Sequence, residues 1–222
     1  KVICLDGAPC KPFVLDTLVL SPAQRADIII ENCSELESLY EVSAENLFKV
    51  SRFKHTINSS FNSLSTISLS QWYKTPPLEK ARIVNIRMQG GAMGNLSSAI
   101  FEGQERSLHD LATNERKLWA FNGKVGGYEL NLADVSLGDI VVLRVWNDTN
   151  WKHAMHLHGH HFWVNSREFG KKTNQVLRDT YLMQPQEKTD LLFVADNPGK
   201  WLFHCHMLEH NASGLGGVIS IS

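Results

Sequence analysis

The sequence predicts an all-β fold. Short apolar runs recur along the chain, and Gly, Pro, Asn and Asp separate them. Residues 141–145 are typical, because they are apolar except for Arg144, rich in β-branched side chains and soon followed by the turn-forming stretch 147–150. With 222 residues, 43% of them hydrophobic, the chain has enough apolar material for an ordinary core.

The predicted elements are short strands joined by turns. The strands comprise residues 2–5, 14–20, 26–31, 82–88, 140–146, 156–164, 180–183, 189–194, 201–207 and 217–221. A short helix is predicted within residues 101–116. Residues 51–80 are rich in Ser and Asn, have almost no periodicity and contain a Thr-Pro-Pro turn, so we interpret them as a connector between two β-domains.

Charge and hydropathy exclude two classes of partner. The formal net charge is −1, which argues against nucleic acid or an anionic membrane as the main partner. No apolar stretch approaches the roughly 18 residues that a membrane span requires. Residues 1–7 resemble the middle of a sheet, so we expect the chain to be part of a longer protein.

The four cysteines give a mixed indication of redox environment. Cys4 and Cys10 flank the turn-like residues 6–9, so they either form a disulfide or remain as buried thiols, and spacing does not decide between these alternatives. Cys33 has no obvious partner, whereas Cys205 stands between two histidines.

The strongest signal is the clustering of histidines. Eight of the ten lie in residues 153–161 (His-Ala-Met-His-Leu-His-Gly-His-His) and 204–210 (His-Cys-His-Met-Leu-Glu-His). Side chains two apart on a strand share a face, so His204 and His206 point one way and Cys205 the other. One strand is thus predicted to serve two metal sites.

The two faces differ in chemistry. A thiolate with two imidazoles is the ligand set of a blue-copper centre, and His153 and His210 are placed to join Cys205. The other face carries four imidazoles without a thiolate, which suit copper, iron or zinc: His156, His158, His204 and His206. Zinc is the weaker reading, because paired structural zinc spacings are missing and seven ligands exceed one tetrahedral ion.

The two segments closely resemble the C-terminal copper signature of multicopper oxidases, which include laccases and bacterial copper-resistance oxidases. That signature is His-Pro-x-His-x-His-Gly followed by His-Cys-His-x3-His-x4-Met/Leu/Phe. The flanking residues 119–123 (Trp-Ala-Phe-Asn-Gly) and 137–139 (Leu-Gly-Asp) also match the family. Residues 6–9 and 20–27 resemble the end of the family's middle cupredoxin domain.

The resemblance implies a role for each ligand. His153, Cys205 and His210 would bind the type 1 copper, and His156 the type 2 copper. The type 3 pair would be held by His158, His204 and His206. Electrons from a phenolic, aromatic or metal-ion reductant would pass through Cys205 to His204 and His206, and O2 would be reduced to water at the trinuclear cluster.

The resemblance also implies an architecture and a location. Residues 1–50 would end the middle cupredoxin domain, residues 51–80 would connect, and residues 81–222 would form a C-terminal Greek-key cupredoxin barrel. The protein would be periplasmic or secreted. The rival function is a stand-alone blue-copper electron-transfer module, which would leave the four histidines of the second face unexplained.

The sequence departs from the family at a few positions. Ala154 replaces a frequent Pro, Leu215 stands at the axial position where many bacterial members have Met, and Asn211 replaces an acidic residue proposed to relay protons. Leu offers no ligand atom, so the type 1 potential should be raised, which favours phenolic or aromatic reductants over cuprous ion.

The largest departure is the number of histidines. The family's trinuclear cluster takes eight, of which four come from two His-x-His pairs in an N-terminal domain. Upstream of His153 this chain has only His55 and His109, which are isolated and read as structural or surface residues. We therefore expect an N-terminal cupredoxin domain to supply the rest, and expect no oxidase activity from this chain alone. His160, His161, Glu209 and Asp179 are polar neighbours without an assigned role; a supporting role is reasonable for His160 and His161.

Overall fold

The structure is a computed structural model that describes residues 1–30, 38–43, 46–53, 74–91, 94–166 and 177–222. The first strands are β1 (Val2–Leu5), β2 (Ala8–Phe13), β3 (Ala26–Ile28), β4 (Ser38–Ser43) and β5 (Asn46–Arg52). A 3-10 helix, Leu78–Lys80, precedes β6 (Arg82–Gly90), β7 (Ser98–Phe101) and β8 (Gln104–Ser107). Then come α1 (Leu108–Asp110), a π-helical turn (Leu111–Glu115) and β9 (Trp119–Phe121).

The second half of the chain supplies most of the core strands. They are β10 (Asn131–Val135), β11 (Ile140–Asn147), β12 (His153–Leu157), β13 (Phe162–Ser166), β14 (Leu177–Arg178), β15 (Thr180–Met183) and β16 (Lys188–Val194). The chain continues with β17 (Gly199–Cys205), α2 (Leu208–Ala212) and β18 (Gly216–Ile221). Among the described residues no helix is long and apolar enough to cross a membrane.

Two larger sheets enclose the main core. One has the strand order β10-β18-β17-β12-β15 and the other the order β14-β13-β16-β11-β6-β9. Apolar side chains from both sheets meet between them, including Leu143 on β11, Phe193 on β16 and Phe203 on β17. This packing of two sheets confirms the predicted all-β cupredoxin fold. The first three strands form a separate small sheet of order β2-β1-β3.

Two strand predictions were wrong. Residues 14–20 form no strand, and Val14 and Val19 are 70% and 74% exposed, so their apolar character does not mark a buried face. The predicted strand 156–164 is two strands in different sheets, β12 and β13, separated by a turn at residues 158–159. Gly159 has φ +70°, and a Cβ there would lie 2.4 Å from the Trp201 ring, so this turn favours glycine.

The remaining expectations have mixed outcomes. The helix predicted within residues 101–116 is confirmed by α1 and the π-helical turn. Cys4 and Cys10 are free and buried, so the thiol alternative is the correct one, while Cys33 lies outside the described residues. Of the predicted connector, residues 51–52 belong to β5 and residues 54–73 lie outside the described part of the chain. The domain boundaries stay predictions.

Candidate metal centre

Two neighbouring strands in the middle of the five-stranded sheet carry most of the predicted ligands. β12 and β17 run antiparallel, with Met155 opposite Cys205 and His156 opposite His204. Because side chains alternate along a strand, Cys205 points into the main core and His204 to the other face of the sheet. The structure thus separates the predicted ligands into two groups, one on each face.

The first group, here called the thiolate site, consists of His153, Cys205 and His210. The sulfur of Cys205 lies 3.7 Å from Nδ1 of His153 and 3.6 Å from Nδ1 of His210, and the two nitrogens are 3.1 Å apart. His153 comes from the start of β12, Cys205 from the end of β17 and His210 from α2. Three strong metal donors therefore converge on one point in the core.

Hydrogen bonding fixes which ring nitrogen of His153 is free. Its Nε2 lies 3.0 Å from the Thr149 hydroxyl, whose own proton has oxygen acceptors in Asn147, at 2.7 Å, and Trp151, at 3.3 Å. With the hydroxyl donating to these oxygens, it accepts from His153 Nε2–H. The lone pair of His153 is then on Nδ1, which faces Cys205.

Burial perturbs the protonation of this site. His153 is fully enclosed, and burial, with a smaller contribution from His210, lowers its pKa to about 3. Burial also raises the pKa of the Cys205 thiol to about 11. A cation at this position would reverse the second effect, because metal binding stabilises the thiolate. The imidazoles are therefore neutral and able to bind a metal ion, and the thiol would lose its proton on metal binding.

Trp119 on β9 closes the thiolate site, and sequence reasoning had assigned it no role. Its ring is 4.8 Å from the His153 ring and 4.7 Å from the His210 ring, and the residue is only 4% exposed. Gly91 makes room for it, since a Cβ there would lie 2.3 Å from the indole. The Trp-Ala-Phe-Asn-Gly motif drew attention to residues 119–123 in the sequence, but it gave no indication that Trp119 contacts the two histidine rings.

Leu215 and Asn211 both lie beside this site. Leu215 is fully buried in the same core cluster as Cys205, and its carbonyl accepts a hydrogen bond of 3.0 Å from the Cys205 amide. Its side chain is a hydrocarbon, so it offers a metal no fourth donor. Asn211 lies on α2 next to His210, and its carboxamide oxygen faces Gly216.

The second group, here called the histidine cluster, consists of His156, His158, His204 and His206. Nε2 of His158 lies 3.0 Å from Nε2 of His204, and five of the ring-to-ring distances are between 4.9 and 5.8 Å. His204 is buried, which lowers its pKa to about 4, whereas His158 is exposed. The cluster is therefore open to the surroundings on one side.

Asp179 lies beside the cluster. It forms an ion pair with Arg25 at 2.8 Å, and its carboxylate lies 3.6 Å from Nδ1 of His156. Burial alone would raise the pKa of Asp179, but hydrogen bonds from His156, Arg25 and Thr180 outweigh burial and lower it. Sequence reasoning noticed Asp179 but missed Arg25, because their pairing spans most of the chain.

The other histidines lie outside both groups. His160 is buried against Phe193 and Trp201, with Nε2 3.7 Å from the Asp196 carboxylate. His161 Nε2 makes a 2.9 Å hydrogen bond with the backbone carbonyl of Asp6. His109 is on α1, and His55 lies outside the described residues. Glu209 is an exposed neighbour of His210 on α2.

The donor set of the thiolate site fits copper. One thiolate and two imidazoles in a largely buried site are the ligands that blue-copper centres use, with a fourth position that is at most weakly occupied. The fold and this site define a cupredoxin-type copper protein.

Comparison with known proteins agrees with this assignment. The family model described as "Multicopper oxidase" matches residues 101–222. The multicopper oxidase MmcO of Mycobacterium tuberculosis is 27% identical over 95% of this chain and 39% of its own length. Laccase-1 of Botryotinia fuckeliana is 24% identical over 97% of this chain and 44% of its length. The chain belongs to the multicopper oxidase family, and copper is its cofactor.

Solved structures show the same fold. The multicopper oxidase McoA of Aquifex aeolicus superposes with a TM-score of 0.69 at 21% identity, covering all of this chain and 49% of that one. A laccase from Pediococcus acidilactici gives a TM-score of 0.70 at 20% identity and 44% coverage of its chain. The chain thus spans less than half the length of these relatives. The copper-binding role of each residue remains a prediction.

Proposed function

We propose that this chain is the electron-accepting part of a laccase-like multicopper oxidase. A phenolic, aromatic or metal-ion reductant is oxidised one electron at a time at a type 1 copper, and O2 is reduced to water at a trinuclear cluster. The observation that carries the proposal is the position of Cys205 between two donor groups, with its sulfur in the thiolate site and its chain neighbours in the histidine cluster.

The residues of the chain have distinct tasks in this function. Bound copper supplies one-electron redox chemistry. His153, Cys205 and His210 would hold the type 1 ion and keep water away from it, with Trp119 above them. Cys205 is joined by single peptide bonds to His204 and His206, so its backbone offers a short covalent path for electrons.

The histidine cluster supplies half of the ligands that the family resemblance implies for the trinuclear copper site. Its four rings, with His158 exposed, leave one side on which further donors can approach. We propose that an N-terminal cupredoxin domain provides the remaining histidines there. The greater length of the curated relatives supports this arrangement. The chain by itself is then expected to bind type 1 copper without consuming O2.

The identity of residue 215 affects which reductants the type 1 copper can oxidise, because it affects the reduction potential of the copper. Without an axial sulfur donor the oxidised copper loses more stabilisation than the reduced one, so the potential rises. This favours phenolic or aromatic compounds as reductants. Asn211 beside His210 has no ionisable group, so proton delivery falls to another side chain or to water. The family resemblance supports a periplasmic or secreted location.

The alternative is a stand-alone blue-copper electron carrier. It is favoured by the thiolate site, whose three donors all come from this chain. A carrier has no use for the histidine cluster, in which two ring nitrogens lie 3.0 Å apart on the far face of the sheet. The oxidase therefore accounts for more of the arrangement.

The test compares the chain alone with the chain supplied with the N-terminal domain proposed here. After anaerobic cuprous loading, copper content, visible absorption and O2 uptake with a methoxyphenol are measured, first alone and then with an N-terminal cupredoxin domain carrying two His-x-His pairs. We expect the chain alone to bind one blue copper and to consume no O2. When the domain is added, we expect O2 uptake to begin. A chain that stays colourless contradicts the type 1 assignment.

Two further outcomes decide between oxidase and carrier. A blue chain that never consumes O2 in the presence of the domain is a carrier. Steady O2 uptake by the chain alone contradicts the requirement for outside ligands. As a matched variant, His158→Ala is expected to abolish O2 uptake in the reconstituted protein and to keep the blue colour, because His158 is absent from the thiolate site.

A further inference from the structure

An ion pair between distant parts of the chain lies directly behind the histidine cluster. Arg25 lies shortly before β3 and donates two hydrogen bonds to the carboxylate of Asp179. Nη1 donates to Oδ1 at 3.0 Å, and Nη2 donates to Oδ2 at 2.8 Å. Asp179 immediately precedes β15, the strand beside β12. The guanidinium is itself held, because Nη1 also donates to the Ala23 carbonyl at 2.8 Å. Such a two-pronged pair fixes orientation as well as charge.

The Asp179 carboxylate begins a chain of hydrogen bonds, here called the relay, that passes through the Thr180 hydroxyl and ends at His156. The Thr180 hydroxyl donates to Oδ1 of Asp179 at 2.8 Å, because the ionised carboxylate, which is paired with Arg25, can only accept. Nδ1 of His156 lies 2.9 Å from that hydroxyl and 3.0 Å from the Asp179 carbonyl. Since the hydroxyl proton is already engaged and a carbonyl only accepts, Nδ1 must carry the proton.

The consequence falls on the other nitrogen of His156. With the proton on Nδ1, Nε2 keeps its lone pair, and the ring stands 4.9 to 5.8 Å from the rings of the other cluster members. A neutral imidazole binds a metal only through its unprotonated nitrogen. The relay therefore selects the tautomer of His156 in which Nε2 is the nitrogen available to a metal.

The segment that contains Arg25 is locked to this region by more than the ion pair. Gln24 donates from its amide to the Thr180 carbonyl at 3.0 Å, and the backbone amide of Arg25 donates to the Asp6 carboxylate at 2.9 Å. Residues 24 and 25 thus hold both residues of the relay.

We propose that Arg25 and Asp179 are positioning residues that fix the tautomer of His156, so that docking of the N-terminal segment prepares a ligand of the histidine cluster. The inference rests on the proposed function only in calling His156 a ligand. The alternative hypothesis is that the Arg25–Asp179 ion pair has a structural role only and holds the segment that contains Arg25 against the sheet. A structural pair of the same kind is available for comparison in Arg144 and Asp190, which are joined by two bonds of 3.1 and 3.2 Å.

The test reads the tautomer of His156 directly in the metal-free chain. Long-range proton–nitrogen NMR at about pH 8, where an ordinary imidazole is neutral, distinguishes Nδ1–H from Nε2–H rings, and His156→Gln assigns the signal. The variants are Asp179→Asn and Arg25→Gln, with Arg144→Gln as the matched control. In Asp179→Asn the new amide can donate to the Thr180 hydroxyl, which is then free to donate to His156 Nδ1. The backbone carbonyl of residue 179, 3.0 Å from Nδ1, still favours a proton on Nδ1, so the variant shifts the tautomer ratio without inverting it.

The expected result is a wild-type His156 with the proton on Nδ1. The ratio of Nδ1–H to Nε2–H should fall about tenfold in Asp179→Asn and about threefold in Arg25→Gln, and remain unchanged in Arg144→Gln. A wild-type ring with its proton on Nε2, or an unchanged ratio in both relay variants, overturns the proposal. If Asp179→Asn does not fold, Arg25→Gln carries the test, because the Arg25 side chain is 53% exposed.

A second readout separates this inference from the proposed function. In a background of Cys205→Ser with His210→Asn the thiolate site keeps only one of its three donors, His153, so Cu(II) titration reports the histidine cluster. Adding Asp179→Asn should weaken that binding roughly tenfold. Absence of Cu(II) binding in that background without Asp179→Asn would count against His156 as a copper ligand, the one point on which the inference rests on the proposed function, while the tautomer ratio would still decide the role of Arg25 and Asp179.

Discussion

The two faces of β17 carry two sites of opposite character. On one face His153 and Cys205 are fully buried, Trp119 covers the rings, and every donor comes from within about sixty residues of this chain. On the other face His158 is exposed and the four rings stand open on one side. One strand thus presents a closed site and an open site at adjacent residues.

The difference between the two faces shows how one strand, β17, can contribute ligands to two sites with different requirements. The closed site is shaped by core packing, which excludes water and holds the ligands whether or not another domain is present. The open site is shaped by polar contacts, including the relay from Arg25 to His156, and leaves room for further ligands. Changes in the core should therefore affect the thiolate site alone, and changes at the open face should spare it.

The largest expected effect comes from Cys205→Ser. Replacing the sulfur removes the soft ligand that gives a blue-copper centre its colour, so the intense visible absorption of the copper-loaded chain should disappear completely. Cys10→Ser is the matched control, since Cys10 is also a buried thiol but lies in the small N-terminal sheet. Visible spectra of both variants measure the effect; a Cys205→Ser chain that remains blue would place the site elsewhere.

The next effect is the response of the metal-free chain to acid. Burial lowers the pKa of His153 to about 3 and that of His204 to about 4, whereas an unfolded histidine titrates near about 6.5. Between these values the unfolded chain binds protons that the folded chain excludes, so the free energy of unfolding should fall as the pH falls below about 6.5. Each histidine contributes about 1.4 kcal/mol per pH unit.

Urea unfolding at several pH values between 7.5 and 4.5 measures this slope. His153→Asn, on the closed face, and His204→Asn, on the open face, should each reduce it by about one proton. A stability that does not change over this range would show that neither ring is held in its neutral form.

Trp119→Ala should cost about 3–5 kcal/mol of stability, because it leaves a cavity over the rings of His153 and His210. Tyr128→Ala is the control: Tyr128 is 76% exposed, and its loss should stay within about 0.5 kcal/mol. Urea unfolding of the metal-free chains compares the two. Equal effects would mean that Trp119 does not support the closed site.

The smallest structural change is Leu215→Met. Both side chains have similar volumes, so stability should change by less than about 1.5 kcal/mol. A thioether placed beside Cys205 would stabilise the oxidised metal and lower the reduction potential of the blue copper. Potentiometric titration measures the shift, with Leu191→Met as a control at another fully buried leucine. Equal potentials in the two variants would remove Leu215 from the axial position.

The sequence predicted those features that depend on local alternation. Because side chains two apart share a face, the separation of Cys205 from His204 and His206 followed from their order alone. The core strand β11 was found from another local signal, a β-branched run that is soon followed by a turn-forming stretch.

Features that depend on distant contacts were not predictable in this way. Spacing gave no sign that Arg25 meets Asp179, as the two are 154 positions apart. The turn at Gly159 was not predicted because the alternating pattern continues through it, and the Trp201 ring, which leaves no room for a Cβ there, comes from another strand. The apolar run 14–20 looked like a strand, but hydropathy alone does not supply a partner to pair with.

Anomalous diffraction at the copper edge, on crystals of the copper-loaded chain, tests the central claim most directly. The claim predicts a strong peak at bonding distance from the Cys205 sulfur and from Nδ1 of both His153 and His210. Any copper at the histidine cluster should be weaker, because the further histidines proposed to complete that cluster are not part of this chain. Copper confined to the histidine cluster, with none beside Cys205, would contradict the account of a closed site built by this chain.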